Sequence, residues 1–348
     1  VIGKNAVDLH AHKGGSSQVK ALYEVTPLDA IKKLAGEKIS VLYAQGYAPT
    51  KDGKQDPKLL KEAVETAGKA DLVIFVGGWL HSLDNNEWGE DCFDAEASDK
   101  KTIDLIFEQD KLIEGIAKAN PNLVTVIFGG SSFKFGAWSD NSKAIIHAWY
   151  PGMEGGTALA NIIFGKTNPS GKLPVSFAYD YTDYPAHSIG EYPGDGIKVE
   201  YKDDIFVGYR YFNTFKKEVA YPFGHGLSYT SFEYGTVTIE KNEFSADEAV
   251  EFELDITNTG DLDGAEIVQV YVRDLDSELE RPKMELKSFE KVFVKKGESL
   301  KLGFKLDQGA FSYYHPEKNG WVLEPGEFEI HVGASSKDIR QKIKITIQ

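Results

Sequence analysis

The chain has 348 residues, enough for two or three domains that each bury a core. Hydrophobic residues make up 41% and charged residues 27%, and no apolar run approaches the roughly 18 residues that span a bilayer, so we expect a globular protein without a membrane partner. The formal net charge of −15 disfavours a nucleic acid partner, and the single cysteine excludes an internal disulfide and a multi-cysteine metal site.

Residues 1–178 alternate strand-like and helix-like segments. Apolar runs rich in β-branched and aromatic residues predict buried strands at SVLYAQG (40–46), LVIFVGG (72–78), LVTVIFGG (123–130) and AIIHAWY (144–150). Apolar residues three or four apart predict helices at 27–36, 57–68 and 108–119. Thr26 is a predicted N-cap and Gly36 a predicted helix end. This alternation predicts a mainly parallel sheet with helices on both faces, which binds ligands at the carboxyl ends of its strands.

An acidic stretch, DNNEWGEDCFDAEASDKK (84–101), follows the predicted strand 72–78. Seven acids lie between Asp84 and Asp99. From composition alone, this stretch is a solvated loop, a source of one catalytic carboxyl group, or a calcium site. Its spacing does not fit an EF-hand loop, because no glycine stands at the sixth position before a closing glutamate. We therefore expect no metal and no cofactor.

The remainder of the chain divides into two parts. Residues 179–231 are dense in Tyr, Gly, Pro and Asp, which predicts a long ordered connecting segment. Residues 232–348 alternate apolar and polar residues, as in VEFELDI (250–256), with turn signals between the runs. About seven short strands of this kind predict an antiparallel sandwich of immunoglobulin or fibronectin III type. The chain starts without Met inside a strand-like segment, so we expect further sequence upstream.

The order of motifs resembles the C-terminal half of the family 3 glycoside hydrolases, which include β-glucosidases and β-xylosidases. The segments that carry the resemblance are VIGKNA at the start, GGSSQV (14–19), VTPLDAI (25–31), VLYAQGY (41–47), AWYPGMEGGTALANIIFGKTNPSGKLPVSF (148–177), VGYRYF (207–212), YPFGHGLSYTSF (221–232), NTGDLDGAEIVQVYV (258–272), RPKMELKSFEKV (281–292) and EPGEFEIHVGASSKDIR (324–340). The resemblance implies an α/β sandwich domain, a fibronectin III-like domain, and a partner (β/α)8 barrel that this chain does not contain.

The same resemblance implies a retaining exo-acting β-glycosidase, with β-glucosidase as the first expectation and β-xylosidase as the second. In the family the barrel supplies the nucleophilic aspartate, and the sandwich domain supplies the general acid/base. Glu96 best matches the glutamate of a Glu-x-x-Asp-Arg-like motif that precedes an LP..Q element in many relatives. Lys100 replaces the arginine of the first motif, and Ile106 replaces the proline of the second. Glu90 and Glu87 are the alternates for this role.

One tryptophan precedes the acidic stretch and another lies within it, and several further expectations accompany this assignment. Trp79 and Trp88 either stack on the sugar or pack structurally. A β-linked oligosaccharide or aryl glycoside is the expected ligand, the chain alone is expected to be inactive, and the expected location is secreted or periplasmic. The alternative is a non-catalytic accessory, carbohydrate-binding or structural module.

Overall fold

A computed structural model of the protein describes residues 1–11, 19–80, 100, 102–192 and 194–348. The chain forms two compact units, Val1–Thr167 and Asn168–Gln348.

The first unit is built on a parallel sheet of three strands in the order β1-β2-β3. These strands are β1 (Val73–Gly78), β2 (Leu123–Phe128) and β3 (Ala144–Trp149). They lie inside three of the four predicted runs, which confirms the mainly parallel α/β architecture. The helices of this unit are α1 (Pro27–Ala35), α2 (Pro57–Ala67), α3 (Gln109–Ala119), α4 (Ala137–Asp140) and α5 (Gly155–Ile163).

The prediction of a fourth strand at 40–46 is wrong, because these residues form no strand. Only Ala44 makes a β-bridge, and its partner is Ile2, which also bridges Phe75 of β1. A ladder needs several consecutive pairs, and the segment beside Ala44 is too short to provide them. After Ile2 the chain turns away at Gly3 (φ +128) into a 3-10 turn at Lys4–Ala6.

Local signals place the ends of the first two helices. The Thr26 hydroxyl accepts a hydrogen bond from the backbone N–H of Asp29, and Gly36 takes a positive φ just after α1, as its sequence predicted. Asp56 caps α2 in the same way by accepting from the N–H of Lys58 at 2.7 Å. Each cap satisfies backbone donors that a helix start leaves without an intrahelical partner.

Helices cover both faces of the sheet. On one face, alternate strand residues such as Ile74, Val76 and Val126 join a core cluster with residues of α1 and α5. Since neighbouring strand residues point to opposite faces, Phe75 faces the other side, where α2 packs on α3 and α3 contacts β1. Strands β1 and β2 are therefore buried on both sides, which explains why they read as nearly continuous apolar runs, whereas the residues of β3 are half-buried or exposed.

The second unit contains a β-sandwich. One sheet has the order β10-β7-β4 with β5 beside β7, the other has the order β6-β14-β13-β8-β9, and β11 pairs with β12. The strands are β4 (Phe232–Tyr234), β5 (Thr238–Ile239), β6 (Glu243–Phe244), β7 (Val250–Asn258), β8 (Gly264–Asp274), β9 (Glu285–Val294), β10 (Ser299–Leu306), β11 (Tyr313–His315), β12 (Gly320–Val322), β13 (Gly326–Gly333) and β14 (Ile339–Ile347). The short helices of this unit are α6 (Pro185–Ser188), α7 (Tyr209–Thr214) and α8 (Gln308–Phe311).

The period-two pattern of this part is confirmed by the burial along β7, where Val250, Phe252, Leu254 and Ile256 are buried and the acids between them are exposed. These side chains meet the inner face of the second sheet in one core cluster. The antiparallel sheets and their shared core agree with the predicted fibronectin III type.

Residues 168–231 pack against the sandwich within the second unit. The amide of Asn168 donates to the Asp263 carbonyl at 2.9 Å, and the Tyr209 hydroxyl accepts from the Leu286 N–H at 2.8 Å. The predicted boundaries 1–178, 179–231 and 232–348 stay a prediction.

Candidate functional site

The acidic stretch leaves the sheet at the carboxyl end of β1, the edge at which parallel sheets bind ligands. Gly78 ends this strand with φ +122, and a Cβ on it would lie only 2.0 Å from the Phe128 carbonyl oxygen. Trp79 then donates its N–H to the same Phe128 carbonyl at 2.8 Å. The backbone before the acidic stretch is thus pressed against the end of β2, in a conformation that only glycine fits.

Gln109, the first residue of α3, holds the end of β1 by its side-chain amide. Its Oε1 accepts from the Gly78 N–H and its Nε2 donates to the Gly78 carbonyl, both at 2.8 Å. Gly78 and Gln109 are both buried, so water cannot satisfy the N–H and carbonyl of Gly78. The side-chain amide of Gln109 pairs with both groups instead. The sequence gives no sign of this contact.

Asn5, near the start of the chain, holds Trp79, the residue that follows Gly78. Its side-chain Nδ2 donates to the Trp79 carbonyl at 3.2 Å, and the Tyr47 hydroxyl donates to its Oδ1. Burial raises the pKa of Tyr47 well above its ordinary value, so the phenol keeps the proton that it donates. Asn5 and Tyr47 were not predicted as functional residues. The sequence signal that could have identified them is that they stand in VIGKNA and VLYAQGY, two segments that carry the family resemblance, and both residues are fully buried.

Lys100, near the end of the acidic stretch, lies beside Trp79, which precedes that stretch. Its ammonium nitrogen lies 3.9 Å from the centroid of the Trp79 ring and donates to the Ser131 hydroxyl at 2.7 Å. A cation over an indole face is worth about 0.5–2 kcal/mol, depending on desolvation. Lys100 therefore joins residues from both sides of the segment 81–99 to the loop that follows β2.

The predicted site residues are only partly described. Trp79 is present and buried, 3% exposed, with the Lys100 ammonium over its ring, so a sugar could stack on it only if that ammonium moved. Glu87, Trp88, Glu90 and Glu96 lie outside the described residues. The roles assigned to all five therefore stay predictions.

Neither a metal-binding cluster nor a membrane-spanning helix is present among the described residues. Within residues 1–11, 19–80, 100, 102–192 and 194–348, no group of three or more His, Cys, Asp or Glu side chains is placed to hold a metal ion. None of the helices in these ranges is long and apolar enough to cross a bilayer.

The α/β unit and the β-sandwich that follows it in the chain define the class of fold, a parallel α/β domain joined to a domain of fibronectin III type. Residues 1–229 match the family model of the glycosyl hydrolase family 3 C-terminal domain, and residues 266–336 match that of the fibronectin type III-like domain. The chain belongs to glycosyl hydrolase family 3.

Relatives of this family align along nearly the whole chain. A β-glucosidase of Bacteroides ovatus is 40% identical and covers 98% of this chain and 46% of its own length. An exo-α-(1→6)-L-arabinopyranosidase of Bifidobacterium breve is 39% identical, over 100% of this chain and 44% of its own. The crystal structure of a family 3 β-glucosidase from Bifidobacterium adolescentis superposes with a TM-score of 0.87 at 37% identity, over 99% of this chain and 48% of that one. The chain thus spans about half the length of these relatives and corresponds to their C-terminal portion.

Proposed function

We propose that this chain supplies the general acid/base part of a retaining, exo-acting β-glycosidase, with a β-glucoside as its substrate. The observation that carries this proposal is membership of glycosyl hydrolase family 3, together with relatives of up to 40% identity that are named β-glucosidases. The nucleophile would come from a (β/α)8 barrel, carried either by a further domain or by a separate chain. On its own, the chain would then lack half of the reacting groups.

Glu96 is the residue that we propose as the general acid/base. A retaining glycosidase needs one carboxylate that attacks the anomeric carbon and one carboxylic acid, about 5 Å away, that protonates the departing oxygen. The same group then removes a proton from the attacking water. Glu96 stands four residues before Lys100, whose contacts with Trp79 and Ser131 fix one end of the acidic stretch at the carboxyl edge of the sheet.

The test is Glu96→Gln in the complete enzyme that carries the barrel, assayed on aryl β-glucosides with good and poor leaving groups. Loss of the acid should lower the rate by about 10²–10⁴-fold for poor leaving groups and much less for good ones. Azide should restore a Glu96→Ala variant, because a small anion can then attack the glycosyl-enzyme without a base. A near wild-type rate on a poor leaving group would rule out Glu96.

Glu90→Gln and Glu87→Gln are matched controls, since they remove one acid from the same stretch. If either shows the leaving-group dependence and the azide rescue instead of Glu96, the role belongs to that residue. If none of the three does, the general acid/base lies outside the acidic stretch.

The sugar is tested with a panel of aryl β-D-glucoside, β-D-xyloside and α-L-arabinopyranoside. The first is expected to react fastest, and a β-xyloside is the second candidate. The arabinopyranoside is included because a relative of 39% identity is named an arabinopyranosidase. Binding of a β-linked oligosaccharide should weaken in Trp88→Ala if that indole stacks on the sugar. Trp79→Ala tests the same role for the tryptophan that directly follows β1.

The second candidate function is a non-catalytic accessory or carbohydrate-binding module. Tight binding of oligosaccharides by the chain alone, with no effect of Glu96→Gln on the complete enzyme, would favour it. The compartment that we propose is the periplasm or the outside of the cell, which cell fractionation and immunoblotting can test.

A further inference from the structure

A cationic pocket lies in the second unit, on the outer face of the sheet that contains β8, β13 and β14. Its volume is about 280 Å³, just below the roughly 300–1,000 Å³ of small-molecule sites, so it suits a small ligand. We call it the basic pocket. Its cationic lining residues are Lys216, Arg273, Lys283, Lys337 and Lys342.

The charge of the basic pocket runs against that of the chain, whose formal net charge is −15. Among the described residues that line it, Glu218 is the one acid against five cations. None of the four lysines has an ion-pair partner in the described part of the chain, whereas Arg273 pairs with Glu329 at 3.2 Å. Like charges held together repel one another, and burial followed by the neighbouring cations lowers the pKa of Lys283. A bound anion would relieve that repulsion.

Two buried polar atoms that have no hydrogen-bond partner among the described residues belong to residues that line the basic pocket. They are the Ser336 hydroxyl and the Nδ1 of His331, and both side chains belong to residues only 3% exposed. Buried polar atoms without partners cost about 1–3 kcal/mol each and are rare in native proteins. Two in one cationic pocket therefore indicate a ligand that would satisfy them.

The hydrogen bonding of His331 defines what its free nitrogen can accept. Its Nε2 lies 2.9 Å from the Glu329 carboxylate, which only accepts hydrogen bonds, so Nε2 carries the proton. Burial lowers the pKa of His331, so the ring is neutral at neutral pH and Nδ1 is an acceptor. The ligand must then offer a hydroxyl to His331 as well as negative charge to the lysines. Monohydrogen phosphate offers both, whereas sulfate has no proton to donate.

We propose that the basic pocket binds inorganic phosphate in its monohydrogen form. The lysines at the mouth attract the anion, the Ser336 hydroxyl donates to one oxygen, and the phosphate hydroxyl donates to His331. This proposal does not depend on the glycosidase assignment, since it involves no residue of the acidic stretch.

The first test is titration calorimetry of the full chain at about pH 8, where His331 is neutral. Inorganic phosphate should bind about ten-fold or more tightly than sulfate, since a hydrogen bond to a charged ligand is worth about that factor. Glucose 6-phosphate is the third probe. At this pH its phosphate has lost both protons, because the second pKa of a phosphate ester is about 6, so it should bind about as weakly as sulfate. Binding as tight as that of inorganic phosphate would contradict the hydrogen bond from a phosphate hydroxyl to His331.

The variants place the binding in this pocket. Lys283→Gln with Lys342→Gln should weaken phosphate about ten-fold or more, and Ser336→Ala about ten-fold. The matched control, Lys301→Gln with Lys305→Gln, removes the same two charges from exposed lysines of β10 and should leave binding unchanged. Equal binding of phosphate and sulfate at about pH 8, no binding of either, or equal losses in both double variants would overturn the proposal.

The pH dependence provides an independent check. The charged groups that face His331 are Glu329 on its own strand, Arg273 on β8, Lys342 on β14, and the remaining cations of the mouth with Glu218. As the pH falls towards about 5.5, protonated His331 donates from Nδ1 to any oxyanion. The preference for phosphate over sulfate should then shrink, and a preference that grows would contradict the assigned role of His331.

Discussion

Single side chains decide how the chain is held where the acidic stretch begins. Gln109 reaches Gly78 across 31 residues and Asn5 reaches Trp79 across 74, and each uses an amide to satisfy backbone atoms that no strand pairs. Contacts at such separations leave no trace in hydrophobic periodicity. The sequence predicted that a site would follow strand 72–78, because parallel sheets bind ligands there, but the residues that shape its base could be found only in the structure.

Replacing Gln109 with methionine should destabilise the chain by about 2–4 kcal/mol. The side chains are similar in volume, but the buried N–H and carbonyl of Gly78 lose both partners at once, and each such loss costs about 1–3 kcal/mol. The change is measured as the shift of the urea unfolding midpoint. Gln348→Met is the control, because Gln348 and Glu243 are exposed and the hydrogen bond between their side chains, at 3.3 Å, can pass to water. Equal shifts in the two variants would contradict the double hydrogen bond as the cause.

The basic pocket illustrates the same limit at the residue scale. Its lining comes from segments between Asn213 and Lys342 that are far apart in the sequence, and no run of lysines marks it. Composition reported only the net charge of −15, which hides a local excess of cations.

At the scale of elements, the sequence predicted well wherever burial is uniform. Strands β1 and β2 are covered on both faces and are apolar except for Thr125, and the predicted bounds of all three strands differ from the observed ones by two residues or fewer. Thr26 and Gly36 marked α1 because caps act through adjacent residues. Segment 40–46 carried the same apolar signal, but its neighbour at Ile2 offers one bridge and not a ladder, and a partner is not written in a segment's own sequence.

Helix α5 gives a prediction at this scale. Its Gly156 lies so close to the start of α1 that a Cβ would fall 2.4 Å from the carbonyl oxygens of Val25 and Thr26. Gly156→Ala should therefore destabilise the chain by about 2 kcal/mol or more, although alanine is normally better than glycine in a helix by about 1 kcal/mol. Thermal unfolding followed by circular dichroism measures the change.

Gly115 in α3 is the matched control for Gly156. A Cβ there would meet Val64 and Leu60 side chains at 3.4 and 3.7 Å, which is ordinary contact. Gly115→Ala should be neutral or stabilising by up to about 1 kcal/mol. If both variants behave alike, the close approach of α5 to α1 is not what selects glycine at position 156.

At the scale of the whole molecule, the second unit begins at Asn168, whereas the sequence predicted a separate domain from residue 232. These two boundaries predict different stabilities for fragments that begin at 168 and at 232. Gln269 and Tyr271 of β8 are buried, and residues before 232 cover them, including Gly224, whose carbonyl accepts from Gln269 at 3.1 Å, and Tyr209, whose ring packs on Tyr271. A fragment 168–348 should unfold cooperatively in urea. A fragment 232–348 should be less stable by roughly 3 kcal/mol or more, since it exposes an aromatic side chain and loses its hydrogen bonds. Equal stability would favour the boundary at 231/232.

The pH dependence of stability is a second prediction for the molecule as a whole. Burial lowers the pKa of both His225 and His331 in the folded chain, so below the ordinary pKa of about 6.5 the unfolded chain takes up protons more readily. Stability should therefore be full above about pH 7 and fall as the pH drops towards 5.5. Lys172 and Asp338 face His225 with opposite effects, and Glu329, Arg273 and Lys342 face His331.

The measurement is the urea midpoint in buffers without phosphate at about pH 7.5 and pH 5.5. The double variant His225→Gln, His331→Gln should lose most of the difference between the two pH values. An undiminished difference would assign the acid sensitivity to other groups.

The clamps around Trp79 and Lys100 have a consequence for how this family can change. The residues on either side of the segment 81–99 are held by contacts with residues outside it. Closing such a segment costs only about 0.6 kcal/mol more for each doubling of its length. Insertions, deletions and whole exchanges of this segment should therefore cost the scaffold little stability.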